Sequence, residues 1–177
     1  MLDVAVAYNR YKFLGEEFLT WLWFQIDTHQ DLFKTFDPEV TSFHIGNRVV
    51  LENRKTETLE RITIKGDDAG FEEGVLALSK GALVTELNLA FQVNNQEWKF
   101  TIKGQSLNLS GVTIPKTALP ETAEDLEGFV IEKTYHYDKI VTFLEKIYAN
   151  YIKLRISNSW KKNETAQIRK WIHAASP

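Results

Sequence analysis

The spacing of apolar residues changes twice along the chain and divides it into three parts. From Gly15 to about Gln25 the apolar positions follow the period of an α-helix. From Val40 the period becomes two, which predicts β-strands that each bury one face. After Pro120 the helical period returns. The pattern predicts an α+β fold: a mainly antiparallel β-sheet with packed helices and a helical C-terminal arm.

Turn-forming residues separate the predicted strands between Val40 and Pro120. Gly46-Asn47 separates Thr41–Ile45 from Arg48–Glu52, a pattern typical of a β-hairpin. A strand over Leu59–Lys65 precedes a short helix that ends at a glycine. The predicted elements that follow this strand are a helix over Phe71–Lys80 ended by Gly81, and strands over Leu83–Val93, Glu97–Lys103 and Leu107–Ile114. Residues 1–120 are therefore expected to hold the first helix and the sheet with an inserted short helix.

Residues 121–177 are expected to form a helical, basic arm packed on the same core. A helical run from Glu121 is interrupted at Gly128, and the clearest helix covers about Tyr137 to Ile156. Its apolar stripe, at alternating spacings of four and three residues, consists of Ile140, Leu144, Ile147, Tyr151 and Leu154. A last small helix is predicted over Thr165–Ala174.

Composition narrows the function classes. The chain has no cysteine, which excludes disulfides, thiolate metal sites and a cysteine nucleophile. Its apolar runs are too short to span a bilayer and no signal peptide is visible, so we expect a cytoplasmic protein with no membrane partner. The net charge is −3, but residues 133–177 carry nine cations and three carboxylates while residues 1–132 are acidic. A basic arm on an acidic body can still bind a polyanion.

Three lysines repeat every seven residues beside the apolar stripe, at Lys139, Lys146 and Lys153. Such a row predicts contacts with a phosphate backbone that carry little sequence information. Lysine also outnumbers arginine in the arm, which disfavours bidentate guanine recognition. The expected partner is double-stranded DNA, bound without sequence preference. The expected DNA-binding residues of the arm are Lys139, Lys146, Lys153, Arg155, Lys161, Lys162, Arg169 and Lys170.

Other interpretations stay open on the sequence alone. The Ile140–Leu154 stripe could dock on a partner protein instead of on the sheet. Glu97 and Lys99 alternate on one strand, with Asp67-Asp68 upstream, as carboxylate and lysine do in metal-dependent nucleases. The aromatic residues of the arm also suit stacking on single-stranded bases. No catalytic residue, metal ligand, cofactor or small-molecule substrate is predicted.

Two segments resemble the C-terminal half of RdgC, a family of recombination-associated DNA-binding proteins. They are Leu14 to Phe24 (LGEEFLTWLWF) and Lys65 to Leu89 (KGDDAGFEEGVLALSKGALVTELNL). The second segment is the stronger match and needs no insertion. Its Lys65-Gly66-Asp67 aligns with a Lys-Lys-Gln cluster implicated in DNA contact in RdgC-like proteins, so the resemblance adds Lys65 to the expected DNA-binding residues.

The resemblance also implies a biological setting. RdgC proteins form a dimer around duplex DNA and modulate RecA-dependent recombination. A short RdgC-like protein is therefore expected here, with a homodimer as its assembly and the nucleoid as its location.

Overall fold

Alternating apolar and polar residues build one five-stranded antiparallel sheet with the strand order β2-β1-β3-β4-β5. The strands are β1 (Val40–Asn53), β2 (Glu60–Lys65), β3 (Leu83–Val93), β4 (Gln96–Lys103) and β5 (Leu109–Thr113). The structure, a computed structural model, describes residues 11–53, 60–66 and 69–174. The prediction of an α+β fold is confirmed.

The helices cover one face of the sheet and share its hydrophobic core. They are α1 (Glu16–Thr28), α2 (Asp31–Phe36), α3 (Ala69–Ser79), α4 (Ala123–Arg155) and α5 (Thr165–Ala174), with a short 3-10 turn before α1 and a π-helical turn before α5. No helix within the described ranges has both the length and the apolar character needed to cross a bilayer.

Helix α1 lies at the centre of the core because most of its sides are apolar. Trp21, Leu22 and Trp23 are fully buried, as the density of large aromatic residues in this helix predicts. Phe143 of α4 covers the neighbouring part of the sheet, with its ring 5.2 Å from Phe43 and 5.1 Å from Phe91. The described residues on both sides of residue 120 thus contribute to the same core.

The predicted hairpin at Gly46-Asn47 is wrong. Residues 40–53 form the single strand β1, and its register against β3 shifts between Ile45 and Val49. The Asn47 N–H donates to Asn88 Oδ1 at 3.2 Å, and a Cβ on Gly46 would overlap that same oxygen. The glycine therefore permits close approach at a β-bulge rather than a chain reversal.

The predicted interruption at Gly128 is also wrong, because α4 runs unbroken for 33 residues. A capping box begins it: the Thr122 hydroxyl accepts the Asp125 N–H, and the Asp125 carboxylate accepts the Thr122 N–H. A Cβ at Gly128 would meet open space. One exposed glycine costs a helix only about 1 kcal/mol relative to alanine, which a long, well-capped helix tolerates.

The C-terminal segment folds back onto α1. Helix α5 follows the π-helical turn at Trp160–Glu164 and turns its apolar residues inward. The Trp171 indole N–H donates to Asp27 Oδ2 at 2.6 Å, and its ring lies 5.8 Å from Trp23. The last helix was predicted with the correct boundaries, and it is docked rather than projecting.

Candidate nucleic-acid interface

The first lysine of the α4 row forms ion pairs with two carboxylates of the same chain. Lys139 Nζ lies 2.8 Å from Asp37 Oδ2 and 2.6 Å from Glu39 Oε2, and its side chain is 12% exposed. Burial alone would raise the pKa of Asp37, but hydrogen bonds from Lys139 and the Glu39 N–H, with the charges of Lys139 and Lys146, hold that pKa below its ordinary value. Lys139, which the lysine row predicts as a phosphate contact, therefore has its ammonium group bound by two carboxylates of the protein itself.

The second lysine contacts the same turn. Lys146 Nζ donates to the Phe36 carbonyl oxygen at 3.0 Å, so Lys139 and Lys146 both fasten α4 to the connection between α2 and β1. Lys153 is exposed in the last turn of α4, where a cation also complements the helix dipole. Of the predicted row, Lys153 is the position best placed to meet a phosphate.

Arg155 joins three elements. Its Nε lies 2.9 Å from Glu17 Oε2, and its guanidinium lies 5.2 Å from the Phe13 ring and 5.1 Å from the Trp160 ring. A guanidinium held between two rings and a carboxylate is well suited to fixing local structure. Arg155 therefore positions the C-terminal segment against α1, and its charge is largely matched by Glu17.

Four further predicted cations remain exposed on the segment that contains the π-helical turn and α5. We call Lys161, Lys162, Arg169 and Lys170 the C-terminal basic patch. Lys161 and Arg169 line the same groove, and Lys162 and Lys170 follow them directly in the chain. They point outward because Ile168, Trp171 and Ile172, on the other side of α5, pack against the core.

The patch borders a groove between α1 and the C-terminal segment. The groove has a volume of about 390 Å³, and Arg155, Lys161 and Arg169 are among its lining residues. Glu164, the one carboxylate in residues 153–174, accepts hydrogen bonds from Trp21 Nε1 and Gln25 Nε2, both at 3.3 Å. The acid is thus directed toward the protein while the cations face solvent.

Lys65 lies apart from these cations. It ends β2 opposite Arg48 of β1, on the side of the strand away from the buried Ile64. Strand alternation therefore puts Lys65 on the open face of the sheet, whereas the helices cover the other face. The structure does not bring Lys65 together with the C-terminal basic patch, and Asp67 of the aligned cluster lies outside the described residues.

The open face of the sheet holds a second charged group, which the sequence analysis missed. Glu86 accepts from Arg48 and Arg61, each at 3.1 Å, and a polar groove of about 540 Å³ crosses the face near His44 and Lys99. The predicted hairpin assigned Arg48 to its second strand. In the structure Arg48 lies in the middle of the single strand β1, opposite Lys65 and within reach of Glu86. Correct strand registers would have revealed this cluster.

Glu97 and Lys99 share the open face, as alternation predicts for the nuclease interpretation. They form an ion pair at 2.7 Å. The hydrogen bond and the charge from Lys99 outweigh the effect of burial and lower the pKa of Glu97. The upstream Asp67 and Asp68 lie outside the described residues. Elsewhere in the described ranges, no three histidine, aspartate or glutamate side chains converge as metal ligands would.

The apolar stripe of α4 is not a free surface. Ile140, Ile147 and Tyr151 are completely buried, and the Tyr151 hydroxyl donates to the Phe13 carbonyl oxygen at 2.6 Å. The chain's own core therefore occupies Ile140, Ile147 and Tyr151, so a partner protein cannot dock along the Ile140–Leu154 stripe as a whole. Leu144, at the edge of the stripe, borders an open groove. Tyr151, Trp160 and Trp171 are likewise packed rather than available for base stacking.

Comparison with known proteins yields no match to a protein-family model and none to a curated protein. The resemblance to RdgC therefore rests on the two quoted segments alone.

Proposed function

We propose that this protein binds double-stranded DNA without sequence preference, and that the C-terminal basic patch supplies the main contacts. The observation that carries the proposal is the outward direction of Lys161, Lys162, Arg169 and Lys170, combined with the inward direction of Glu164. The patch therefore presents positive charge that no acid of its own segment opposes. Lysine ammonium groups on flexible stems suit phosphates in a duplex of any sequence.

The dimensions of the patch fit a nucleic-acid strand. Lys161 and Arg169 are eight residues apart, which corresponds to about 12 Å along a helix. A DNA strand rises 3.4 Å per nucleotide, so the patch spans roughly three to four phosphates. The Trp171–Asp27 hydrogen bond and the packing of α5 on α1 hold this helix in place, so little ordering is required on binding.

The resemblance to RdgC supports a more specific version of the same proposal. In that version the DNA is that of the bacterial nucleoid, the protein acts as a homodimer, and its binding modulates RecA-dependent recombination. Lys65 would then form a separate contact on the open sheet face.

The test compares two double charge reversals by fluorescence anisotropy with a labelled duplex of about 20 base pairs. Lys162→Glu with Lys170→Glu removes two patch cations, whereas Lys34→Glu with Lys116→Glu makes the same charge change at exposed lysines outside the patch and outside the sheet. Each phosphate contact contributes about eightfold in affinity at 0.1 M salt, so the patch variant should bind about 60-fold more weakly.

The control variant should keep an affinity within about threefold of the wild type, since long-range effects of exposed charges are screened at this salt concentration. Circular dichroism verifies that both variants are folded. Equal losses in the two variants would contradict the assignment of the patch. Lys65→Glu is measured in the same assay, and a loss of affinity confined to that variant would move the binding surface to the open sheet face.

A further inference from the structure

The first part of α4 extends beyond the core. The first buried side chain of this helix is His136, so residues 123–135 precede the packed part. Thirteen residues correspond to about 20 Å of helix. Several of their large apolar side chains are exposed, although a solitary solvated helix end is usually polar. We call residues 123–135 the α4 overhang. The exposed apolar residues of the overhang are Leu126, Val130, Ile131 and Tyr135.

A stripe on one side of the helix joins the overhang to an apolar groove on the protein body. The stripe residues, spaced by three, four or seven positions, are Leu126, Val130, Tyr137, Val141, Leu144 and Tyr148. Its last three members line a groove of about 370 Å³, together with Phe18, Ile102, Leu107 and Leu109. The exposed apolar residues of the overhang and one wall of the apolar groove thus lie on the same side of α4.

We propose that two copies of this chain associate through antiparallel α4 helices, with the overhang of each copy seated in the groove of the other. A twofold axis at Tyr137 places Leu126 of one copy opposite Tyr148 of the second and Val130 opposite Leu144. The same axis brings the two Tyr137 side chains together. Such an isologous contact buries the overhang and the groove of both copies. A helix from an unrelated protein would cover the groove but leave the overhang exposed.

The charges at the ends of the stripe are complementary. The overhang carries four carboxylates and one cation, Lys133, so it is acidic. In the paired arrangement its tip lies beside Tyr148 of the second copy. Tyr148 and Leu107 also border a neighbouring cavity lined by Lys12. Lys12 of the receiving copy is therefore on the side of Glu124 and Glu127 of the arriving helix. Glu145 in the groove lies one helical turn from Val141, the position that faces Lys133 of the arriving helix.

The contact also approaches the size of a specific dimer interface. Residues 126–148 extend over about 33 Å, and half the side of a cylinder of that length and 10–12 Å in diameter is about 570 Å². In residues 136–148 the opposite side of the helix is buried in the core, so only the stripe side contributes there. The groove walls from β4 and the segment after it add to this area and bring it toward the roughly 800 Å² per partner that specific interfaces bury.

Sedimentation velocity of the full-length protein at several micromolar tests the pairing. The chain mass is 20.5 kDa, so the wild type should sediment as a species of about twice that mass. Val130→Glu should give a monomer. Its matched control is Ile131→Glu, since Ile131 is 62% exposed against 54% for Val130 but lies about 100° around the helix from the stripe. This control should remain dimeric.

A wild-type monomer overturns the proposal, and so does a dimer that survives Val130→Glu. Cross-linking adds a positional test because the native chain has no cysteine. Tyr137→Cys should form a disulfide between copies under mild oxidation, whereas Ile131→Cys should not. A dimer in which Ile131→Cys cross-links and Tyr137→Cys does not would place the interface on another side of α4 and refute the pairing described here.

Discussion

Lys139 provides a direct test of whether the first lysine of the α4 row acts within the fold. Lys139→Met keeps the aliphatic stem but removes the ammonium group from Asp37 and Glu39. Hydrogen bonds to charged groups contribute about 1.5–3 kcal/mol each when shielded, and exposed pairs contribute less than about 1 kcal/mol. Asp37 is mostly buried and Glu39 is 65% exposed. We therefore expect the free energy of unfolding to fall by about 2–3 kcal/mol, almost entirely through Asp37.

The pKa shifts of Asp37 and Lys139 determine the pH range over which their ion pair stabilises the fold. The pKa of folded Asp37 is lowered, so its stabilisation is present above the unfolded value of about 3.9 and is lost as the pH falls through the folded value. The pKa of Lys139 is raised against the effect of burial by its bonds to Asp37 and Glu39, so its contribution is lost only as the pH rises through the folded value, above about 10.4.

Urea denaturation of the wild type and Lys139→Met between pH 3 and 9 measures this difference. It should be constant from about pH 5 to 9 and should shrink below pH 4. Lys153→Met is the control, because Lys153 is exposed, and its stability should stay within about 0.5 kcal/mol of the wild type. A Lys139→Met variant as stable as this control would show that the Lys139–Asp37 ion pair contributes nothing to the free energy of unfolding, contrary to this prediction.

Two other substitutions test the packing. Gly15→Ala should lower stability by about 3 kcal/mol, since a Cβ there would overlap the carbonyl oxygen of Gly104, while Gly128→Ala in open space should raise it by up to about 1 kcal/mol. Equal urea midpoints for these two variants would contradict the packing argument. His136→Leu should raise stability by about 1–2 kcal/mol, because both ring nitrogens are buried beside Trp98 without a hydrogen bond among the described residues, and Glu132 Oε1 lies 3.8 Å from Nε2, beyond hydrogen-bond distance. A destabilised His136→Leu protein would show that the contact with Glu132 stabilises the fold.

The fold was predictable where one periodicity ran uninterrupted between clear stop signals. Helix α3 illustrates this: Gly81 adopts a positive φ of 93°, and the N–H of Ala82 donates to the Ala77 carbonyl oxygen, closing the helix as the glycine predicts. The sequence was misleading at Gly46 and Gly128, where a glycine suggested a break. In the structure one gives room to Asn88 and the other is a solvent-exposed helix position.

The candidate site was less predictable, because a heptad position does not reveal what the facing element carries. Lys139 and Lys153 occupy equivalent positions of one row, yet Lys139 meets Asp37 and Glu39 while Lys153 meets solvent. The partners of Lys139 are about a hundred residues away in sequence. Likewise, the direction of Glu164 depends on Trp21 and Gln25 of α1. Such long-range contacts decide which charges are free.

The salt dependence of duplex binding is the most direct test of DNA binding by the C-terminal basic patch. Four phosphate contacts from the C-terminal basic patch predict a slope of about −3.6 for log affinity against log salt, which is roughly a 150-fold loss between 50 and 200 mM. Lys162→Gln with Lys170→Gln should reduce that slope by about two. No binding at 50 mM salt, or a slope that the double variant leaves unchanged, would contradict DNA binding through this patch.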